Sequence, residues 1–205
     1  MAATSALTRI ARYAVALVAT LLGTTGYAQV TVDLNTWTVE GPDLGNWVVA
    51  DDGASLLQTV NQLGPTFFVS PGDLFDQRID GSFGVETTGD DDYIGFVFGF
   101  QGPLESEGDE PTDFEFFLLD WKQRNQTFNG VFAAAGFTLA RVDTMVTLGP
   151  TSPFWQHDDE PPGYDIIATD YDPARGWADN TVYDFQLLYT PDQIRITIDG
   201  GAFDD

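Results

Sequence analysis

The sequence predicts an all-β protein, an antiparallel sandwich of two sheets. Three observations carry that expectation. From Val30 onward, short apolar runs alternate with polar residues and are cut by turn signals; 16 Phe, 7 Tyr and 5 Trp supply a core; no stretch has the period of an amphipathic helix. The apolar runs are too numerous for one small sheet and divide naturally into two packed layers.

The first segment is set aside before the fold is read. Residues 1–13 carry Arg9 and Arg12 and no acid, Ala14 to Gly23 is an apolar run, and Gly26-Tyr27-Ala28 offers small residues where a signal peptidase reads. Residues 1–28 are therefore expected to be a signal peptide, and residues 29–205 one domain starting near Gln29. The apolar run falls short of the ~20 residues that a helix needs to cross a bilayer. Export to the outside is expected, with no membrane span in the mature chain.

The strands then follow in order. In Arg78 to Thr87, Ile79, Gly81, Phe83 and Val85 share the inner face while Asp80, Ser82 and Glu86 point the other way. In Tyr93 to Gln101, Ile94, Phe96, Phe98 and Phe100 are expected to line the core, with Gly95 and Gly99 opposite, where a neighbouring backbone comes close. Phe114 to Gln123 is apolar on both faces, as a central strand is: Phe117, Leu119 and Trp121 on one side, Phe116, Leu118, Asp120 and Lys122 on the other. Tyr183 to Tyr189 and Ile194 to Asp199 flank Thr190-Pro191-Asp192-Gln193 and form a hairpin. Gly102 to Thr112 is a polar, acidic connection, and Thr151 to Gly163 mixes aromatics, acids and prolines in a loop expected to be ordered.

Charge and cysteine content narrow the function. With 32 acids against 8 bases, the net charge is -24, which makes nucleic acid and anionic membranes unsuitable partners. An exported chain without cysteine takes its stability from its core or from bound ions.

Several segments, taken together and in order, carry a resemblance. They are Asn46-Trp47-Val48-Val49, Gln58-Thr59-Val60-Asn61, Gly81-Ser82-Phe83, the run GDDDYIGFVFGFQ from Gly89 to Gln101, Trp121-Lys122-Gln123 with Gln126-Thr127, Trp155, His157-Asp158, Asp172-Pro173-Ala174-Arg175-Gly176-Trp177, and Ile194-Arg195-Ile196. In this combination the chain resembles the C-terminal domain of thrombospondins. The resemblance implies a curved jelly-roll sandwich of the concanavalin A or L-type lectin kind. It also implies a secreted, calcium-binding, non-catalytic module that contacts extracellular matrix, a cell surface or a glycan. Three departures go with it. The Asp-rich repeats that precede the domain in animal thrombospondins are missing from this sequence. The segment tied to cell binding in those proteins corresponds to Phe114 to Lys122, with little side-chain identity before Trp121, so a vertebrate-type receptor is not implied. The family also continues past the strand ending at Ile198, so a chain lacking its last strands, and any C-terminal anchor they lead to, is expected.

Calcium takes six to eight oxygen ligands from carboxylates, carbonyls and water. Asp90, Asp91 and Asp92 offer up to three carboxylates at the head of a buried strand, and the resemblance makes them the leading calcium ligands. Asp51 and Asp52 come next; Asp80, Asp158 and Asp159 are secondary candidates. No stretch has the EF-hand spacing. For a ligand, Tyr93, Trp155 and Trp177 are the aromatics expected to stack on a sugar, against the general tendency of sandwich aromatics to be core.

Two other functions remain open on sequence. Asp113 and Glu115, at i and i+2 on a strand, lie on one face some 6 to 7 Å apart. That spacing suits the carboxylate pair of a glycoside hydrolase, which stands about 5 to 9.5 Å apart. The other alternative is an acidic structural protein of a matrix or envelope. A nucleophilic triad is disfavoured, because the chain has no Cys and a single histidine, His157. That histidine is expected to bond a neighbouring Asp, since one imidazole does not make a zinc site.

Overall fold

Alternation becomes strand along most of the chain. The computed structural model describes residues 12–16, 31–41, 45–62, 64–104, 114–143, 153–157, 162–200 and 203–204. Its strands are β1 (Arg12–Ala16), β2 (Thr38–Glu40), β3 (Trp47–Val49), β4 (Leu56–Gln58), β5 (Phe67–Val69), β6 (Gln77–Glu86), β7 (Tyr93–Gln101) and β8 (Glu115–Lys122). They continue with β9 (Gln126–Phe128), β10 (Val131–Ala133), β11 (Gly136–Asp143), β12 (Tyr164–Tyr171), β13 (Val182–Thr190), β14 (Gln193–Gly200) and β15 (Phe203–Asp204). The one α-helix among the described residues, α1 (Pro153–Gln156), is a single turn.

Two sheets form the sandwich, as the sequence predicts. The larger has the order β15-β14-β13-β6-β1-β4-β3 and the smaller β12-β11-β8-β7; β2 with β5 and β9 with β10 make two short ribbons. The pairings are antiparallel, and β13 joins β14 across the two-residue turn Pro191-Asp192, with Thr190 opposite Gln193.

Strand β8 is buried on both faces. Leu119 and Trp121 enter the core between the sheets with Ile79, Phe83, Val85, Phe98, Tyr183, Phe185, Leu187 and Ile198. Phe116 and Leu118 enter a second core on the outer side of the small sheet, with Leu104, Phe114, Ala140, Val142, Phe154 and Tyr164. Trp121 has no exposed surface; it stacks on Phe137 at 4.6 Å, meets Tyr183 edge-on at 4.5 Å, and donates its indole N–H to Arg175 O.

In β7, Ile94, Phe96 and Phe98 face the inter-sheet core. Phe100 does not: it packs into the second core. The cause is local, since the pairing with β8 shifts between Phe98 and Gln101 and Gly99 sits at φ 61, which breaks the strict alternation. Gly95 meets the expectation of close backbone approach, because a Cβ there would collide with Leu119 O on β8.

An apolar cavity of about 700 Å³ is walled in part by Trp47 of β3, Phe67 of β5, Phe96 and Phe98 of β7, and Phe185 and Tyr189 of β13. At the other end of the chain, β1 lies between β4 and β6 and pairs Arg12 to Ala16 with Glu86 to Ser82. This strand falls inside the stretch expected to be a signal peptide.

Truncating Trp121 removes a wholly buried indole together with its hydrogen bond to Arg175 O. Trp121→Ala is expected to cost about 3–5 kcal/mol, lowering the Tm by on the order of 10 °C. Phe132→Ala, at a ring that is 56% exposed, should stay within about 0.5 kcal/mol. Thermal melts of both variants check the contrast.

Candidate metal centre

The turn entering β7 is shaped by its own first carboxylate. Asp90 Oδ1 accepts the backbone N–H groups of Asp91 at 2.8 Å and Asp92 at 3.1 Å, the side-chain bond to following amides that suits Asp to turns. A carboxylate oxygen from each of Asp90, Asp91 and Asp92 lies within 4.8 Å of the others, and among the described residues this is the one group of three or more potential metal-binding side chains.

Beneath the turn stands Lys122, with no exposed surface. Its Nζ donates to Asp91 O at 2.8 Å and Gln126 Oε1 at 2.7 Å, and it lies 3.6 Å from Asp92 Oδ1. The same ammonium sits over the rings of Tyr93 and Trp155, 4.9 and 4.5 Å from their centroids, where the ring faces attract a cation. At the rim, Arg124 bonds Asp91 Oδ2. Trp177 donates its indole N–H to Asp92 O at 3.2 Å. Tyr93 donates its hydroxyl to Trp155 O at 2.6 Å, and Trp155 in turn donates to Val131 O at 3.0 Å.

The electrostatics of the turn are those of crowded anions. Burial raises the pKa of Asp92, and the charges of Asp90 and Asp91 add to it while Lys122 opposes it. Burial lowers the pKa of Lys122, and the attraction of Asp92 and Asp91 opposes that. Asp92 Oδ1 is buried and accepts no hydrogen bond.

Behind Lys122 lies a second polar group. His157 Nε2 is 3.2 Å from Asp120 Oδ2, His157 Nδ1 is 2.8 Å from Thr138 Oγ1, and Thr138 Oγ1 is 2.8 Å from the Tyr171 hydroxyl. His157 has a left-handed backbone, φ 51, and its N–H donates to Pro153 O to close α1. Burial raises the pKa of Asp120, and the bond to His157 opposes the rise. An acid, an imidazole and a hydroxyl in line invite a catalytic reading, but Thr138 is wholly buried, so no substrate reaches its oxygen. Among the described residues, the acid bonded to His157 is Asp120, 37 residues away, whereas the sequence pointed to a neighbouring acid.

The remaining candidates lie elsewhere. Asp51 and Asp52 are exposed in a separate turn, where Asp52 Oδ1 caps Ala54 N at 3.0 Å. Asp80 pairs with Arg78 and accepts from Gln186. Glu115 pairs with Arg141 at 2.8 Å, while Asp113, Asp158 and Asp159 lie outside the described residues. Tyr93, Trp155 and Trp177 are built into the support of the acidic turn: Lys122 occupies a face of the first two, and Trp177 is buried. Sequence reasoning missed Lys122 and Arg124. A lysine at an inward position of an apolar strand was the available signal for the first; an exposed arginine after the strand gives none.

This geometry sits within a stretch that has known counterparts. A profile of the thrombospondin C-terminal region matches residues 43–202. The chain belongs to the thrombospondin C-terminal family. It is 31% identical over 154 residues to thrombospondin-2 of Gallus gallus, covering 71% of this chain and 12% of that protein. It is 32% identical over 155 residues to human thrombospondin-3, covering 71% and 15%, and 30% identical over 154 residues to cartilage oligomeric matrix protein of Rattus norvegicus, covering 71% and 19%. The chain thus spans less than a fifth of these relatives' length. In this thrombospondin C-terminal domain, the matched stretch takes in the acidic turn, Lys122, Trp155 and Trp177. Phe114 to Lys122 is the interior strand β8 and its lead-in, with Glu115 and Phe117 half-buried and the rest buried.

Two buried phenols provide a pH test. Burial pushes the hydroxyl pKa values of Tyr93 and Tyr164 far above 10. A group whose folded pKa is raised stabilises the fold fully below its unfolded value and loses that contribution as pH rises. Stability should therefore fall above about pH 10. In a spectrophotometric titration, these two phenols should ionise together with unfolding, whereas independent titration in the folded state would contradict their burial.

Proposed function

We propose that this chain is a secreted, calcium-binding, non-catalytic adhesion or recognition module, contacting extracellular matrix, a cell surface or a glycan. The observation that carries the reading is the acidic turn inside a thrombospondin C-terminal match: three carboxylates within 4.8 Å, one with a buried oxygen that accepts no hydrogen bond. The donor set suits a hard cation that takes oxygen ligands, and lacks the nitrogen and sulfur donors that zinc favours. Asp90, Asp91 and Asp92 would hold the ion, with water completing the shell.

A relative named for cartilage matrix supports the extracellular setting. Export would proceed through the leader of residues 1–28, and cleavage would carry β1 away with it. N-terminal sequencing of the secreted chain should begin near Gln29; a mature chain that retains Arg12 to Ala16 would overturn the leader assignment.

Excess calcium over chelator should raise the Tm by several degrees, since a ligand bound only to the native state at ~100 Kd contributes about 2.7 kcal/mol. Asp91→Asn with Asp92→Asn should erase most of that shift, and an unshifted wild type would sink the calcium reading. Glycan and matrix arrays with reducing-end detection separate the remaining functions. Binding without product supports the module, turnover abolished by Glu115→Gln supports a hydrolase, and empty arrays with a calcium shift support a structural protein. The pairing of Glu115 with Arg141 favours the first outcome.

A further inference from the structure

An ammonium group withdrawn from water is costly unless its partners are close and well placed. Those of Lys122 come from four elements: Asp91 O and Asp92 Oδ1 from the acidic turn, the Tyr93 ring from β7, Gln126 Oε1 from β9 and the Trp155 ring from α1. The nearest acid on its own strand face is Asp120, whose carboxylate is bonded to His157. The lysine is thus directed at the turn, and it meets the turn through a main-chain oxygen as well as through charge.

We propose that Lys122 is the built-in counter-ion of the Asp90 to Asp92 turn: it holds the turn folded with no metal bound, and a divalent cation adds to a turn already formed. The first half stands on geometry alone; the second rests on the calcium reading above. Two contacts set the turn from below, since Lys122 occupies the carbonyl of Asp91 and Trp177 that of Asp92. The backbone at these two positions is thereby tied to protein donors that approach from the side of the core. Three carboxylates meet one buried ammonium and, at the rim, one guanidinium, so the turn remains net anionic and still attracts a cation.

The Trp177 indole N–H, bonded to Asp92 O, is a reporter of the folded turn, and the Trp121 indole N–H, bonded to Arg175 O, is a control in the core. Hydrogen exchange of both is followed by NMR in excess chelator. In the wild type both should be protected. Lys122→Met keeps the length and removes the charge; it should lower protection at Trp177 by about tenfold or more while sparing Trp121. Adding Asp92→Asn to Lys122→Met should recover much of the loss, because the carboxylate that the ammonium faced is then neutral. Unchanged protection in Lys122→Met overturns the proposal, as does an equal loss with and without Asp92→Asn. If Lys122→Met does not fold in chelator, the double variant should; failure of both assigns Lys122 to packing and overturns the counter-ion role. Calcium should restore Trp177 protection in Lys122→Met. A wild type with no calcium shift defeats the calcium reading but leaves the chelator result standing. A calcium shift in the wild type without restoration in the variant defeats the second half of the proposal.

Discussion

Burial of the Lys122 ammonium is the constraint on which the acidic end of the molecule depends. A cation out of water demands donors' partners on every side, and here they are drawn from the turn before β7, from β9, from α1 and from the first ring of β7 itself. Each of those elements is held in place partly by what it gives the lysine. Trp155 covers Lys122 and anchors α1 to β10 through Val131 O. Tyr93 covers it from the other chain segment and ties β7 to Trp155 O.

The strand that carries this lysine has an equally demanding place. Strand β8 divides two cores, and its alternation sends Leu119 and Trp121 to one and Phe116 and Leu118 to the other. Asp120 and Lys122 continue the second face beyond the apolar residues, so that face passes from hydrocarbon to polar network within two positions. The polar network is nearly complete, with Asp120, His157, Thr138 and Tyr171 in sequence; the buried Tyr164 hydroxyl accepts and donates no hydrogen bond. Such networks specify one arrangement of the covering loop over others.

Much of the fold was legible in the sequence, because period-two alternation survives wherever one strand face meets the core. The inner residues expected in β6 (Ile79, Phe83, Val85) and β14 (Ile194, Ile196, Ile198) reach the core, and β8 sends its two apolar faces into separate cores. Phe100 breaks the pattern, because alternation cannot register a glycine at positive φ that turns the chain over. Strand β11 was hard to read for a different reason: Phe137 and Leu139 face the core between the sheets, but the alternate positions Gly136, Thr138, Ala140 and Val142 are buried as well, and the small and polar residues among them carry little hydrophobic signal. At the candidate site, the acidic triplet stood out because adjacent carboxylates are conspicuous in one dimension. The partners of that triplet were hidden by distance along the chain. Lys122 looked like one more residue on a face shared with Phe116, Leu118 and Asp120, and Tyr93, Trp155 and Trp177 looked like independent aromatics, until folding brought all four to a single turn.

Those distances bear on the order of events in folding. The bonds that close around the turn span 31 residues from Lys122 to Asp91, 62 from Tyr93 to Trp155 and 85 from Trp177 to Asp92. Contacts of such separation carry the loop-closure entropy of everything between them and form after local hairpins such as β13 with β14. The contacts that fasten the acidic turn therefore join segments made at different times in synthesis. Three carboxylates set side by side in sequence thus acquire their full surroundings only in the finished domain, when segments far apart in the chain have closed around them.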